Sequence, residues 1–172
     1  MSQAPNVPEL SRLVDLRQVV DGPQDIVATA EERAALARRF ALVAIDRLEA
    51  RVTLAVGTDG VDAKGRLGAD IVQSCAVSGE DLPVTIDEPI RLRFVPEQSI
   101  DAEELDLEAG QLDEIEYSGT GFDLGEAVAQ SLALAIDPYA VGQNAERARR
   151  EAGFGDPPAS GPFAALAALK KG

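Results

Sequence analysis

The chain has 172 residues, 45% of them apolar, with 16 Lys and Arg against 30 Asp and Glu, a formal charge of −14 and no histidine. Such a chain suits one soluble domain with a core of its own, and it excludes every catalytic or metal-binding arrangement built on an imidazole. The acidic excess also repels a phosphate backbone, whose binding draws on Lys and Arg.

ELSRLVDL (9–16) reads as a first strand, GPQ (22–24) as a turn and DIVA (25–28) as a short second strand. Thr29 followed by Glu32 forms a capping box. It opens a helix, AEERAALARRFALV, in which Leu36, Phe40 and Val43 make one apolar stripe. Then comes the clearest alternation in the chain: Leu48, Ala50, Val52, Leu54 and Val56 on one face, Glu49, Arg51 and Thr53 on the other. GTDG (57–60) is hairpin chemistry. The return strand carries Val61, Ala63, Leu67, Ala69 and Ile71 on one side, with Gly65 and Gly68 marking a bulge or a strong bend. After the turn SGED (78–81), LPVTID and IRLRFV follow, split by Glu88-Pro89. These runs predict an antiparallel meander with one buried and one wet face.

Composition then shifts. No Lys or Arg occurs between Arg93 and Arg147, and PEQSIDAEELDLEAGQLDE reads as an acidic loop near residues 96–116. IEYSG (115–119) returns as a strand. Asp123 and Glu126 suggest a second capping box, opening a helix with Leu124, Val128, Leu132 and Ala135 on its apolar side and Pro138 at its end. QNAERARREAG is polar and helical in part, FGDPPASGP (154–162) is a linker, and FAALAALKKG places Phe163, Leu166 and Leu169 at helical spacing. The expectation is an α+β protein with an antiparallel, curved or barrel-like sheet of about six or seven strands, two main helices and a C-terminal extension. Residues 1–152 form its single domain, and 153–172 a Pro/Gly-rich linker and short helix.

The chemistry-bearing candidates are few. Cys75 is the only cysteine, so no internal disulfide exists. It has no histidine to activate it and too few companions for a zinc site, and a small apolar side chain beside the meander is the expectation. DAEELDLE departs from a calcium loop, with Leu105 where a ligand belongs. GTGFDLG has Leu124 in place of the third glycine of a dinucleotide fingerprint and reads as a helix N-cap. Arg91 and Arg93 share one strand face with Arg51 and Arg66, either as a small basic patch or as a wet face balanced by Glu49, Asp62 and Asp87. Asp101, Glu103, Glu104 and Asp106 in the acidic loop are candidates for contact with a cationic partner. Phe163, Leu166 and Leu169 form an apolar face that docks on its own sheet or in a partner's groove. The first residues, MSQAPNVPEL, lack a secretory signal pattern, and the apolar runs are too short to cross a bilayer. The expected setting is cytoplasmic, with no membrane contact.

The order SRLVDL, EERAALARRFAL, VQSCAVSGEDLPVTIDEPIRLRFVP, the acidic insert, FDLGEAVAQSLALAIDPY and PFAALAALKK resembles the YceD family of large ribosomal RNA subunit accumulation proteins, in its alphaproteobacterial form, from about residue 9 to 171. The resemblance implies a role in large-subunit biogenesis and large rRNA accumulation, without an enzymatic activity and without a cofactor. It implies a ribosomal protein or pre-ribosomal large subunit as partner. Many members carry a C-x-x-C pair at this place; here Ser78 stands in the second position, so a metal site carried over from them has no support. Direct rRNA binding through the Arg91/Arg93 face and the basic tail is the alternative, and an enzyme working with carboxylates a weaker one.

Overall fold

The computed structural model describes residues 8–97 and 112–153, which fall into two compact units. The first comprises residues up to Gln73 together with Pro83–Asp137. The second comprises Ser74–Leu82 and the chain from Pro138 onward. Most of the predicted linker and short helix lies outside the described residues, as do Phe163, Leu166 and Leu169 and the acidic-loop residues Asp101, Glu103, Glu104 and Asp106.

The first unit is built on a five-stranded sheet and a two-stranded one. Strand β1 (Leu13–Asp15) is shorter than the expected 9–16 and pairs antiparallel with β7 (Gly121–Asp123). The larger sheet has the order β2 (Gly22–Val27), β3 (Ala44–Val56), β4 (Val61–Ser74), β5 (Asp81–Pro96) and β6 (Asp113–Tyr117). The alternation read in β3 and β4 is the alternation of burial: Leu48, Ala50, Val52, Leu54, Val61, Ala63, Leu67, Ala69 and Ile71 are all buried. Only Val56, at the hairpin end, departs, being 47% exposed.

Three expectations about this sheet need correction. It is not closed into a barrel, and it is not wholly antiparallel, because β6 runs parallel to β5 with Leu92 opposite Asp113 and Pro96 opposite Tyr117. Parallel neighbours need a crossover rather than a hairpin, and nothing in the alternation of side chains encodes strand direction. LPVTID and IRLRFV are also one strand, not two. Pro89 is tolerated because β6 begins only opposite Leu92. Glu97 donates its N–H to the Tyr117 carbonyl at 2.9 Å. Odd-numbered residues of β5 therefore turn their backbone groups to the β6 side, and Pro89 lacks a donor where no strand waits.

The glycines of β4 mark no bulge. Register between β3 and β4 is unbroken from Arg47 to Val56, and the shift lies between Ile45 and Arg47. Gly65 is required for another reason: a Cβ there would run into the Arg51 carbonyl of the neighbouring strand.

Helix α1 (Ala30–Arg39) starts at the expected capping box, with Thr29 accepting from the Glu32 N–H and Glu32 accepting from the Thr29 N–H. It ends earlier than the apolar spacing suggests. Ala41 takes a left-handed conformation with φ 54°, Leu42 N–H reaches the Ala37 carbonyl at 2.8 Å, and Ala41 N–H reaches Arg38 at 3.3 Å. This pair of bonds is a Schellman closure with alanine where glycine is usual. Leu36 is buried and Phe40 packs on the core, but Val43, beyond the closure, is 52% exposed.

Helix α2 (Leu124–Ala135) buries Leu124, Val128 and Leu132 as expected. Its capping box is only half formed. Asp123 accepts from the Glu126 N–H at 3.1 Å and also from Ser11 Oγ and Arg12 N–H, both at 2.7 Å. Glu126 instead holds Arg39, which also reaches Glu9, so one guanidinium ties α1, α2 and the segment before β1. A Cβ at Gly125 would collide with the backbone of residues 10–12, so glycine permits that close approach. Phe94 and Phe122 stack with centroids 3.9 Å apart and Tyr117 tilts against Phe122, so three of the chain's aromatics meet at one point.

The second unit contains the turn around Cys75 and the short helix α3 (Ala145–Glu151). Cys75 N–H donates to the Glu80 carbonyl, Ala76 N–H to Ala140, and the Glu80 carboxylate accepts from the Asn144 backbone and side chain.

Candidate interaction surface

The wet face of the larger sheet is an ordered lattice of opposite charges. The register sets Arg51 directly across from Arg66, a like-charge pair that is unfavourable by itself. Each is drawn away by a carboxylate on the outer neighbour: Arg51 meets Asp25 of β2 at 2.6 Å, and Arg66 meets Asp87 of β5 at 2.8 Å. Arg47 meets Asp70 and Glu49, both at 2.7 Å. Arg93 meets Asp62 at 2.7 Å. The guanidinium hydrogen bonds hold the Asp25, Asp62 and Asp70 carboxyls below their ordinary range, with Thr85 helping at Asp70. A shallow depression of about 690 Å³ lies over this lattice, lined in part by Arg47, Arg51, Arg66, Thr85 and Asp87.

The two sequence-derived arginines are thus separated in character. Arg93 is committed to Asp62, while Arg91 is exposed and forms no ion pair among the described residues. The reading of a wet face balanced by Glu49, Asp62 and Asp87 describes three of these pairs. Asp25 and Asp70, which complete the lattice, could be assigned only once the pairing of β2, β3 and β4 was known.

The β6 edge has the opposite character. Asp113, Glu114 and Glu116 are exposed, and none of them makes an ion pair among the described residues. Ile115 and Tyr117 turn inward. Beside them runs a groove of about 260 Å³ toward α2, walled by Phe122, Ala127 and Gln130, with Glu126 at its rim. The acidic loop expected near residues 96–116 includes these three acids, but Asp113–Tyr117 is strand and not loop, as the alternation of its acids with Ile115 and Tyr117 marks.

Cys75 is buried, as expected of a small apolar side chain, being 4% exposed. Yet its sulfur is a hydrogen-bond acceptor. The N–H groups of Val77, Ser78 and Gly142 approach Sγ at 3.4, 3.3 and 3.3 Å. With the Ser78 hydroxyl as the largest influence and these backbone donors behind it, the thiol is lowered to about 6. Among the described residues no group of three or more His, Cys, Asp or Glu is placed to hold a metal ion, and no helix is long and apolar enough to cross a membrane.

Residues 63–170 match the family model described as large ribosomal RNA subunit accumulation protein YceD. The match takes in nearly all of β4 and everything after it to near the chain end, including β6 and the Cys75 turn. No curated protein and no solved structure matches the chain.

Proposed function

The chain belongs to the YceD family, and from that premise we propose that it is a non-enzymatic assembly factor of the large ribosomal subunit, acting in the cytoplasm by holding a basic ribosomal protein or the pre-ribosomal particle that carries it. The observation behind this reading is the distribution of charge. Four arginines of the sheet's wet face are each matched by a carboxylate, so they have little to offer a phosphate backbone. The β6 edge carries exposed carboxylates without ion-pair partners among the described residues, and the chain as a whole has a net charge of −14. An acidic surface of this kind steers a cationic protein and screens it from nucleic acid until handover. The acidic residues Asp101, Glu103, Glu104 and Asp106 contribute to that net charge.

The test is capture of purified large-subunit ribosomal proteins on the immobilised chain. The expected result is retention of a basic protein at low salt and its loss as salt rises. Replacing Asp101, Glu103, Glu104 and Asp106 together by Asn and Gln, at unchanged segment length, should weaken that retention; unchanged capture would overturn the role given to the acidic segment. In cells depleted of the protein, sedimentation with rRNA probing should show a shortage of mature large subunits. A direct rRNA contact is the competing reading, favoured by the unpaired Arg91. It predicts rRNA affinity that falls steeply with salt and drops on Arg91→Ala.

A further inference from the structure

We propose that the free edge of β6 is where the basic partner sits, as an added strand of alternating basic and apolar residues; this rests on the reading just given and names the surface it uses. Strand β6 is last in the sheet order, and among the described residues no strand lies on its outer side. The Tyr117 carbonyl accepts from Glu97 on the β5 side. Backbone groups alternate in direction along a strand, so the N–H and C=O of Glu114 and Glu116 point outward, open to pairing. The carboxylates of the same two residues are exposed and form no ion pair among the described residues; Glu114 lies across from Arg93 and is attracted to it, while Arg93 is already held by Asp62.

On the opposite face, Ile115 and Tyr117 border the groove toward α2, which is closed at its floor by the stacked Phe94 and Phe122. A strand laid beside β6 would therefore meet two different surfaces by turns. Side chains of one parity enter a mostly apolar groove, and those of the other parity face Glu114 and Glu116. Charge selects the occupant. A second copy of β6 would set glutamate against glutamate, which is destabilising across a strand pair. A cationic segment gains attraction at the same positions.

The test uses the full chain and two labelled synthetic peptides of equal composition, one alternating lysine and valine, the other with the two residues in blocks. Fluorescence anisotropy should show binding of the alternating peptide and weaker binding of the block peptide. Binding should slow amide hydrogen exchange at Glu114 and Glu116. The double charge reversal E114K/E116K should weaken binding at least about tenfold. Glu116→Pro, which lacks the outward N–H as well as the charge, should bind more weakly than Glu116→Gln. Equal binding of the two peptides, equal binding by the two Glu116 variants, or unprotected amides at Glu114 and Glu116 would overturn the inference. So would faster exchange of those amides, without peptide, on removal of residues 154–172, because the chain's own tail would then occupy the edge. If the protein captures basic ribosomal proteins but the peptide leaves the β6 amides unchanged, this inference fails and the functional reading stands. Peptide bound at β6 with no ribosomal protein captured gives the reverse.

Discussion

In the β3–β4 hairpin, apolar side chains vanish from solvent on one face of two long strands, and the polar face is tied by ion pairs that water still reaches. Around Cys75 the means are different. A buried sulfur gathers three backbone N–H groups, and Glu80 gathers two donors from Asn144. The first region depends on area removed from water, which tolerates small errors of position. The second depends on satisfying donors in a turn with little apolar surface, which depends on each acceptor being present.

The contrast can be broken most directly at Cys75. Its thiol should ionise near pH 6, against an ordinary value of 9.0, because the native turn favours the thiolate. A titration of thiolate absorbance in folded and urea-unfolded protein reads both values. A depressed folded value means that this contribution to stability is present in full above about 9, and is lost as pH falls through about 6. Denaturation midpoints across that range should rise with pH, and a Cys75→Ala chain should lose that rise. If the thiol titrates near 9 in the folded protein, the turn is held by something other than its sulfur.

Within the apolar region, Leu67→Ala should cost about 2–5 kcal/mol by equilibrium denaturation, since Leu67 is fully buried between strands that cannot collapse onto the cavity. Asp123→Ala removes an acceptor from Ser11, Arg12 and Glu126 together, and should cost about 2 kcal/mol. Ala41→Gly should stabilise by about 0.5–1 kcal/mol, because glycine takes the left-handed closure of α1 without a Cβ penalty. The smallest change is expected at Arg51→Ala, well below all of these, because both partners of its ion pair are well exposed. A loss at Arg51 as large as that at Leu67 would mean that the wet face holds the sheet together.

What could be read from the sequence follows the same division. Period-two burial in β3 and β4, and the donor-acceptor logic of Thr29 and Asp123, are local properties and were legible. The direction of β6 was not, because parallel and antiparallel neighbours bury the same alternate side chains. The end of α1 was missed because alanine carries no mark of a left-handed conformation. The lattice of arginine pairs was half legible: strand parity gives the face, but only register tells which carboxylate Arg51 or Arg66 will find. The sulfur's donors come from residues 77, 78 and 142, and the last of these is brought in by tertiary structure alone.

The position of β3 in the larger sheet has a practical outcome for anyone wishing to trim the protein. The family match begins at residue 63, inside β4, so a minimal fragment cut to that range would shed β1, β2, α1 and β3. Its leading strand would then present Leu67, Ala69 and Ile71 beside a long bare margin of amide groups, a template for pairing with other copies and for precipitation. The first third of the chain is thus the flank without which the matched part is not a separable folding piece.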